Sequence, residues 1–165
     1  MREAFKERYW TGLFGEYYTL GELAKRRVSA QRLCDKLSGC DLITEDNILI
    51  EVKTSQAHIT KRDREHVESR GWQFNSIRKG TIKKPDVLIL VALNDENEFE
   101  IEHIWIIPTE DLVGNNKYGY KNNFNIKDTC WQKVNSNRPD LVSEKWVEEY
   151  EDNWDILVNF SIKNK

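Results

Sequence analysis

Asp41, Glu51 and Lys53 interrupt two short runs of strand-forming residues in the segment GCDLITEDNILIEVKTSQ, Gly39 to Gln56. Charges are poor strand residues, and burying them unpaired is costly. They lie on a wet face, or something binds them. With Glu45, Asp46 and Asn47 as a three-residue turn, Thr44 falls opposite Ile48, Leu42 opposite Ile50 and Asp41 opposite Glu51. Two carboxylates facing one another repel unless a cation sits between them. Strand alternation places Lys53 on the face of Glu51, opposite Gly39, which leaves space beside it. Two acids and an ammonium around a gap suit a hard divalent ion and a phosphate. On that reading Asp41 and Glu51, with the carbonyl of Val52, hold Mg²⁺, for which Mn²⁺ substitutes. Lys53 orients or deprotonates the attacking water and steadies charge on the phosphate. The plainer reading is a Glu51–Lys53 surface pair with Asp41 in a turn, and a change of one residue in turn length would break the facing pair.

Several elements must position this trio. Before Arg27, the residues Leu13, Tyr17, Leu20, Leu23 and Ala24 form an apolar stripe at helical spacing, which Gly12, Gly15 and Gly21 weaken. VSAQRLC alternates as a short strand, and Cys40–Thr44 and Ile48–Ser55 form the hairpin. The polar stretch from Gln56 to Arg70 reads as a loop with a helical turn or two. WQFNSI reads as a strand, RKGTIKK as a basic loop, and DVLILVAL and FEIEHIWIIP as two strong strands joined by NDEN. A short helix is expected at Thr109–Val113, and Gly114–Pro139 is poorly patterned and reads as irregular. Trp146, Val147, Tyr150, Trp154 and Leu157 then recur at helical spacing. Helix, mixed sheet, helices: the expectation is one α/β (α+β) domain over residues 1–165, long enough for a real core.

Asp41 followed by Glu51-Val52-Lys53 at the end of a second strand resembles the Asp…(Asp/Glu)-X-Lys signature of the PD-(D/E)XK nuclease superfamily. GEYYTLGELAKRRVSAQRL resembles the helix and short strand that precede this signature in small members, including Holliday-junction resolvase-like enzymes. There a helix Glu reaches the metal site; Glu16 matches it best, and Glu22 is the second candidate. Gln56 stands where many members carry a polar residue just after the lysine, and WQFN resembles the following strand. The resemblance runs from Phe14 to Pro108, with Cys40 in place of the Pro often found before the first Asp. It implies a restriction endonuclease-like fold, a central mixed β-sheet flanked by helices with the acids on one sheet edge. It also implies a Mg²⁺-dependent endonuclease hydrolysing DNA phosphodiester bonds, restriction-type or junction-resolving. Asp41, Glu51, Lys53, Glu16 and Gln56 would then carry catalysis. The rival from another class is a non-catalytic nucleic-acid-binding or regulatory domain on the same fold, against which the intact trio counts.

A net charge of −3 argues against a generic nucleic-acid binder, but the charge is uneven. Nine Lys or Arg face three acids between Val52 and Lys84, whereas Ser143 to Asp155 holds six acids and only Lys145. Within the basic stretch Lys61, Arg62, Arg64, Arg78, Lys79, Lys83 and Lys84 would track a DNA backbone, supplying affinity but not sequence choice. Trp72 and Phe74 alternate as core residues do, though they could stack on bases, and Asn115, Asn116, Lys117, Tyr118 and Lys121 read as an ordinary polar loop. Cys34, Cys40 and Cys130 lack paired metal-site spacing and read as buried thiols. The longest apolar run, Val87 to Leu93, is too short to span a membrane, and MREAFKERYW lacks the apolar core of a secretion signal. The expected compartment is the cytoplasm. A duplex break or a resolved junction needs two cuts, so a homodimer is expected. Trp131, Trp146, Tyr150 and Trp154 offer candidate interface surface or simply cover the sheet.

Overall fold

The computed structural model describes residues 3–33, 39–62, 67–75, 85–97, 99–114, 123–127 and 145–163. In chain order these form α1 (Glu3–Lys25), β1 (Ala30–Arg32), β2 (Leu42–Thr44), β3 (Leu49–Gln56), β4 (His58–Arg62) and β5 (Val67–Asn75). Then follow β6 (Val87–Leu93), β7 (Ile101–Pro108), α2 (Thr109–Gly114), β8 (Asn123–Lys127), a 3-10 turn at Lys145–Tyr150 and α3 (Asp155–Lys163). The first sheet has the order β1-β2-β3-β6-β7, with β3 and β6 parallel and the other neighbours antiparallel. The second is antiparallel, β4-β5-β8. The expected mixed sheet with flanking helices is therefore present. None of the described helices is long and apolar enough to cross a membrane.

All seven residues of β6 are buried, because both faces of the first sheet are covered. On one face Ile50, Val52, Val87, Ile89, Val91 and Ile106 pack with Leu23 of α1 and with Trp154 and Leu157 at the start of α3. On the other, Leu88, Leu90, Ala92 and Ile107 pack with Trp72 and Phe74 of the second sheet and with Tyr150. Burying one such aliphatic side chain contributes roughly 1.5–3 kcal/mol. Trp72 and Phe74 are core residues, as their alternation suggests. Tyr150 and Trp154 are core as well, so they do not supply a dimer interface; Trp131 and the Trp146 side chain lie outside the described part. Cys40 is a buried thiol in no disulfide among the described residues, whereas Cys34 and Cys130 lie outside them.

Two details set the height and length of α1. Gly15 is buried against β3, where an added Cβ would run into the Thr54 side chain, so glycine here permits the close approach of helix to sheet. The helix ends at Arg27 in a left-handed conformation, φ 61°, with Val28 N–H donating to the Leu23 carbonyl and Arg27 N–H to the Ala24 carbonyl. That pair of bonds is a Schellman stop.

The second sheet departs from expectation. The stretch from Gln56 to Arg70 is not a loop: β3 runs through Ala57 almost directly into β4, and β5 begins at Val67. Likewise Gly114–Pro139 is not wholly irregular, since β8 lies inside it. Ala57 N–H still bonds the Leu93 carbonyl of β6 (2.9 Å), so one strand leaves the first sheet and joins the second without a break.

Candidate active site

The turn at Glu45-Asp46-Asn47 folds as counted. Asn47 N–H donates to the Thr44 carbonyl (3.0 Å), and Asn47 takes the left-handed conformation (φ 62°) that closes a three-residue hairpin loop. The register is Leu42 opposite Ile50 and Ile43 opposite Leu49; Asp41 lies just outside β2, its N–H on the Ile50 carbonyl, and no described pairing sets it opposite Glu51. The two acids do not simply repel, because each has a partner. Asp41 Oδ2 accepts the Val52 N–H at 2.8 Å, taking a ladder amide that β2 no longer pairs. Glu51 forms an ion pair with Lys53 two residues on. No described pairing sets Gly39 opposite Lys53; Gly39 lies outside β2, at φ 66°.

The backbone fixes Asp41 as well. Its N–H donates to the Ile50 carbonyl (2.9 Å), and its own carbonyl accepts the Leu33 N–H (2.8 Å). Three elements thus converge on this residue where β2 leaves β3. Glu51 and Lys53 have as Cα partners Leu88 and Leu90 of β6, which belong to the core layer beneath the second sheet. Their side chains are 16% and 24% exposed, so the pair is mostly withdrawn from water yet reachable. In such surroundings a charge pair interacts more strongly than on an open surface.

Glu16 and Gln56 are not brought to this face. Gln56 pairs with Leu93 in unbroken register, on the side of Val52 and Thr54, and it is exposed at the end of β3. Glu16 belongs to α1, which packs on that same side, and its carboxylate pairs with Arg32 of β1. The Glu16 carboxylate, by its hydrogen bond, holds the Arg32 guanidinium above its ordinary range. Arg32 also lies over the Tyr17 ring at 5.7 Å. It has no mark in the sequence beyond falling opposite Leu42 in β1. Glu22, the second helix candidate, is bound to Lys25 (2.5 Å) and Arg26 (2.6 Å), and its carboxyl is held below its ordinary value chiefly by the Lys25 hydrogen bond.

Of the basic residues, Lys61 and Arg62 lie on β4, but the register sets them on opposite faces, Lys61 across from Glu68 and Arg62 across from Val67. Arg64, Arg78, Lys79, Lys83, Lys84 and the segment Asn115–Lys121 lie outside the described residues.

Among the described residues no three or more His, Cys, Asp or Glu gather closely enough to hold a metal on their own. Mg²⁺, however, commonly takes one or two protein carboxylates and completes its shell with water and substrate phosphate. Asp41 has Oδ1 beside the bonded Oδ2, and Glu51 directly precedes the Val52 that Asp41 holds, so two hard-oxygen carboxylates are on hand for such an ion.

No protein-family model matches the chain. No curated protein matches it either. Its fold is similar to the solved structure of a bacterial homing endonuclease, I-Ssp6803I, with a TM-score of 0.60 and 10% sequence identity. The match covers 93% of this chain and 92% of that one. What the two share is the fold: a mixed sheet with helices, over almost the whole of both chains.

Proposed function

We propose that the protein is a divalent-metal-dependent endonuclease of the PD-(D/E)XK type that hydrolyses DNA phosphodiester bonds. The observation that carries this is the hairpin end, where Asp41 is braced on Val52 beside the Glu51–Lys53 pair, partly withdrawn from water. The fold shared with a homing endonuclease supports DNA as the substrate.

Each residue has a task that its chemistry allows. Asp41 and Glu51 would hold the divalent ion, which when bound supplies positive charge against the phosphate. As an ammonium, Lys53 has only donors to offer, so it orients the attacking water and meets the charge that builds on the non-bridging oxygens. Water adds to phosphorus, the bond to the leaving oxygen breaks, and that oxygen takes up a proton. The products are one phosphomonoester end and one hydroxyl end. One site makes one cut, so a duplex break calls for a second copy of the chain, supplied by two-fold pairing.

Cleavage with Mg²⁺ on supercoiled plasmid, a four-way junction, single-stranded DNA and RNA tests this reading. Cutting of duplex DNA or of the junction, lost in Asp41→Asn, Glu51→Gln and Lys53→Met alike, is the expected result. Variants that cut like the parent would remove the proposed site. Sedimentation with and without DNA, in Ca²⁺ to block cutting, tests the pairing; a monomer throughout that only nicks plasmid would point to a nickase.

A further inference from the structure

The apolar stripe that the sequence marks on α1 is not the face that the fold buries. The buried positions described on this helix are Gly15, Thr19, Glu22 and Leu23. At about 3.6 residues per turn, Trp10, Leu13, Tyr17, Leu20 and Ala24 follow a line down the opposite side. Of these, only Leu20 packs against a core cluster. Trp10 and Tyr17 remain 56% and 57% exposed, beside Tyr9 at 54%. Phe14 carries the patch sideways onto Phe99 of the β6–β7 turn, with ring centres 4.9 Å apart. Phe99, 39% exposed, is held there at φ 65°, a conformation that bulky residues rarely adopt.

The make-up of the stripe selects its partner. Neither the line itself nor Phe14 and Gly21 beside it carries a charge, in a chain that is 32% charged. A polyanion, which Lys and Arg hold, does not suit it. Alternating steps of three and four residues are those of a seam that packs on another helix. The stripe is also graded, from bulky Trp10 and Leu13 at one end to exposed Gly21 and Ala24 at the other. Turned end for end, it is its own complement. An antiparallel two-fold through Tyr17 sets Trp10 against Ala24 of the partner subunit and Leu13 against Gly21 of the partner subunit. A parallel pair would crowd the Trp10 rings together and leave a gap between the glycines. The area suffices as well. A buried aromatic side chain withdraws roughly 150–250 Å², so the exposed parts of Tyr9, Trp10, Tyr17 and Phe99 offer roughly 300–500 Å². That is about half of the roughly 800 Å² per partner in a standard interface.

We propose that α1 is the dimerisation helix of this protein: two copies of the chain pair antiparallel through the stripe centred on Tyr17. The pairing rests on the endonuclease reading for its purpose, a second active site, whereas the stripe exists independently of it. The placement of α1 suits that purpose. The helix packs on the Val52 and Thr54 side of β3 through Gly15, and Glu51 and Lys53 lie on the other side. Joining two helices by their outer faces therefore leaves both candidate sites uncovered. The two-fold axis also turns the sites in opposite senses, as cuts on opposite strands require.

Sedimentation equilibrium of the full chain, without DNA or metal, tests the pairing. The parent should be a dimer at micromolar concentration. Tyr17→Glu puts a carboxylate at the two-fold axis and should raise the dimer dissociation constant by roughly 30-fold or more. Ala24→Trp collides with the partner's Trp10 and should raise it by roughly the same factor. Adding Trp10→Ala to Ala24→Trp exchanges the bulky and small ends. That double variant should return to within about fivefold of the parent, which a helix merely damaged by substitution would not do. Trp10, Tyr17 and Ala24 are all exposed, so far-UV circular dichroism should be unchanged. If Tyr17→Glu fails to fold, Trp10→Glu takes its place. A monomeric parent, a dimer indifferent to Tyr17→Glu, or an exchange of ends that fails to restore pairing would overturn the proposal. Variants that stay dimeric but bind DNA more weakly would overturn it too, since the rings would then be contacts to nucleic acid. A dimer that behaves as expected but cuts nothing under Mg²⁺ would keep the pairing and remove the endonuclease. Cutting by a monomeric parent would do the reverse.

Discussion

The Val52 amide and the Asp41 carboxylate meet at 2.8 Å across the end of the hairpin. The bond stands in for a rung that β2 no longer provides, since the described β2–β3 pairing runs only from Ile43 with Leu49 to Leu42 with Ile50. One side chain thus closes the sheet edge and faces the place where chemistry is proposed. Its structural and chemical roles are separable, because only one of them requires a negative charge.

Asp41→Asn keeps an acceptor for Val52 and removes the charge. Cutting should disappear, while stability in urea stays within about 1 kcal/mol of the parent. Asp41→Ala removes both, strands the amide of a buried residue and should cost about 1–3 kcal/mol as well as activity. Equal stability for the two variants would mean that the Asp41–Val52 bond contributes nothing to the fold.

Gly15 and Thr54 should be coupled. Gly15→Ala gains about 0.5–1 kcal/mol of helix propensity but overpacks against Thr54, a loss of about 1–3 kcal/mol, so the net effect is destabilising. Thr54→Ala clears the space and also removes a buried hydroxyl that has no hydrogen-bond partner. The double variant should therefore be more stable than Gly15→Ala alone, and at least as stable as Thr54→Ala. Additive effects in urea unfolding would show that α1 can lift from β3 freely.

Much of the first sheet is legible in the sequence, because its strands carry strong signals. The hairpin register follows from a three-residue turn and from apolar alternation at Leu42, Ile48 and Ile50, which are all buried. β6 and β7 read as strands because the run from Val87 to Leu93 and the residues Ile104 to Ile107 are apolar throughout. The second sheet is harder to read. Its β4 has Ile59 as its one large apolar residue, and β8 alternates Phe124 and Ile126 with polar residues over only five positions, so both mimic loops. The candidate site divides in the same way. Strand alternation sets Glu51 and Lys53 on one face, where they pair, but the bond from Asp41 to Val52 and the pairing of Glu16 with Arg32 depend on tertiary placement that no local pattern encodes.

Stability should fall in acid, with a particular origin. Arg70, 6% exposed, binds Asp95 at 2.8 Å and Glu102 at 2.7 Å. The Arg70 hydrogen bond holds the Asp95 carboxyl below its ordinary 3.8, and the Lys25 hydrogen bond holds Glu22 below 4.5. A folded value below the unfolded one stabilises fully above the ordinary value, and this is lost as pH falls through the folded value. Urea midpoints should hence be nearly level from about pH 7 to 5 and drop below about 4.5. Arg70→Met leaves two carboxylates without their cation and should cost about 3–5 kcal/mol at neutral pH. It should also flatten the acid limb, since Asp95 then titrates near its ordinary value. An acid limb as steep as the parent's would exclude Arg70 as its source.

Glu16→Gln decides whether the helix acid acts in catalysis. A ligand of the divalent ion could not lose its charge without loss of cutting comparable to that of Asp41→Asn. The geometry leads to a different expectation, because α1 lies on the Val52 and Thr54 side of β3, and Glu51 and Lys53 lie on the other. Glu16 already has Arg32 as its partner, at 17% and 35% side-chain exposure. A half-open pair of this kind is worth about 1 kcal/mol or less. Glu16→Gln should therefore lower stability by about that amount, and Arg32→Gln by a similar one because it also gives up the contact with Tyr17. Both variants should still cut plasmid at a rate within about tenfold of the parent, with an unchanged requirement for Mg²⁺. Loss of cutting in Glu16→Gln but not in Arg32→Gln would instead mean that Glu16 leaves Arg32 and joins Asp41 and Glu51 when the ion and DNA are bound.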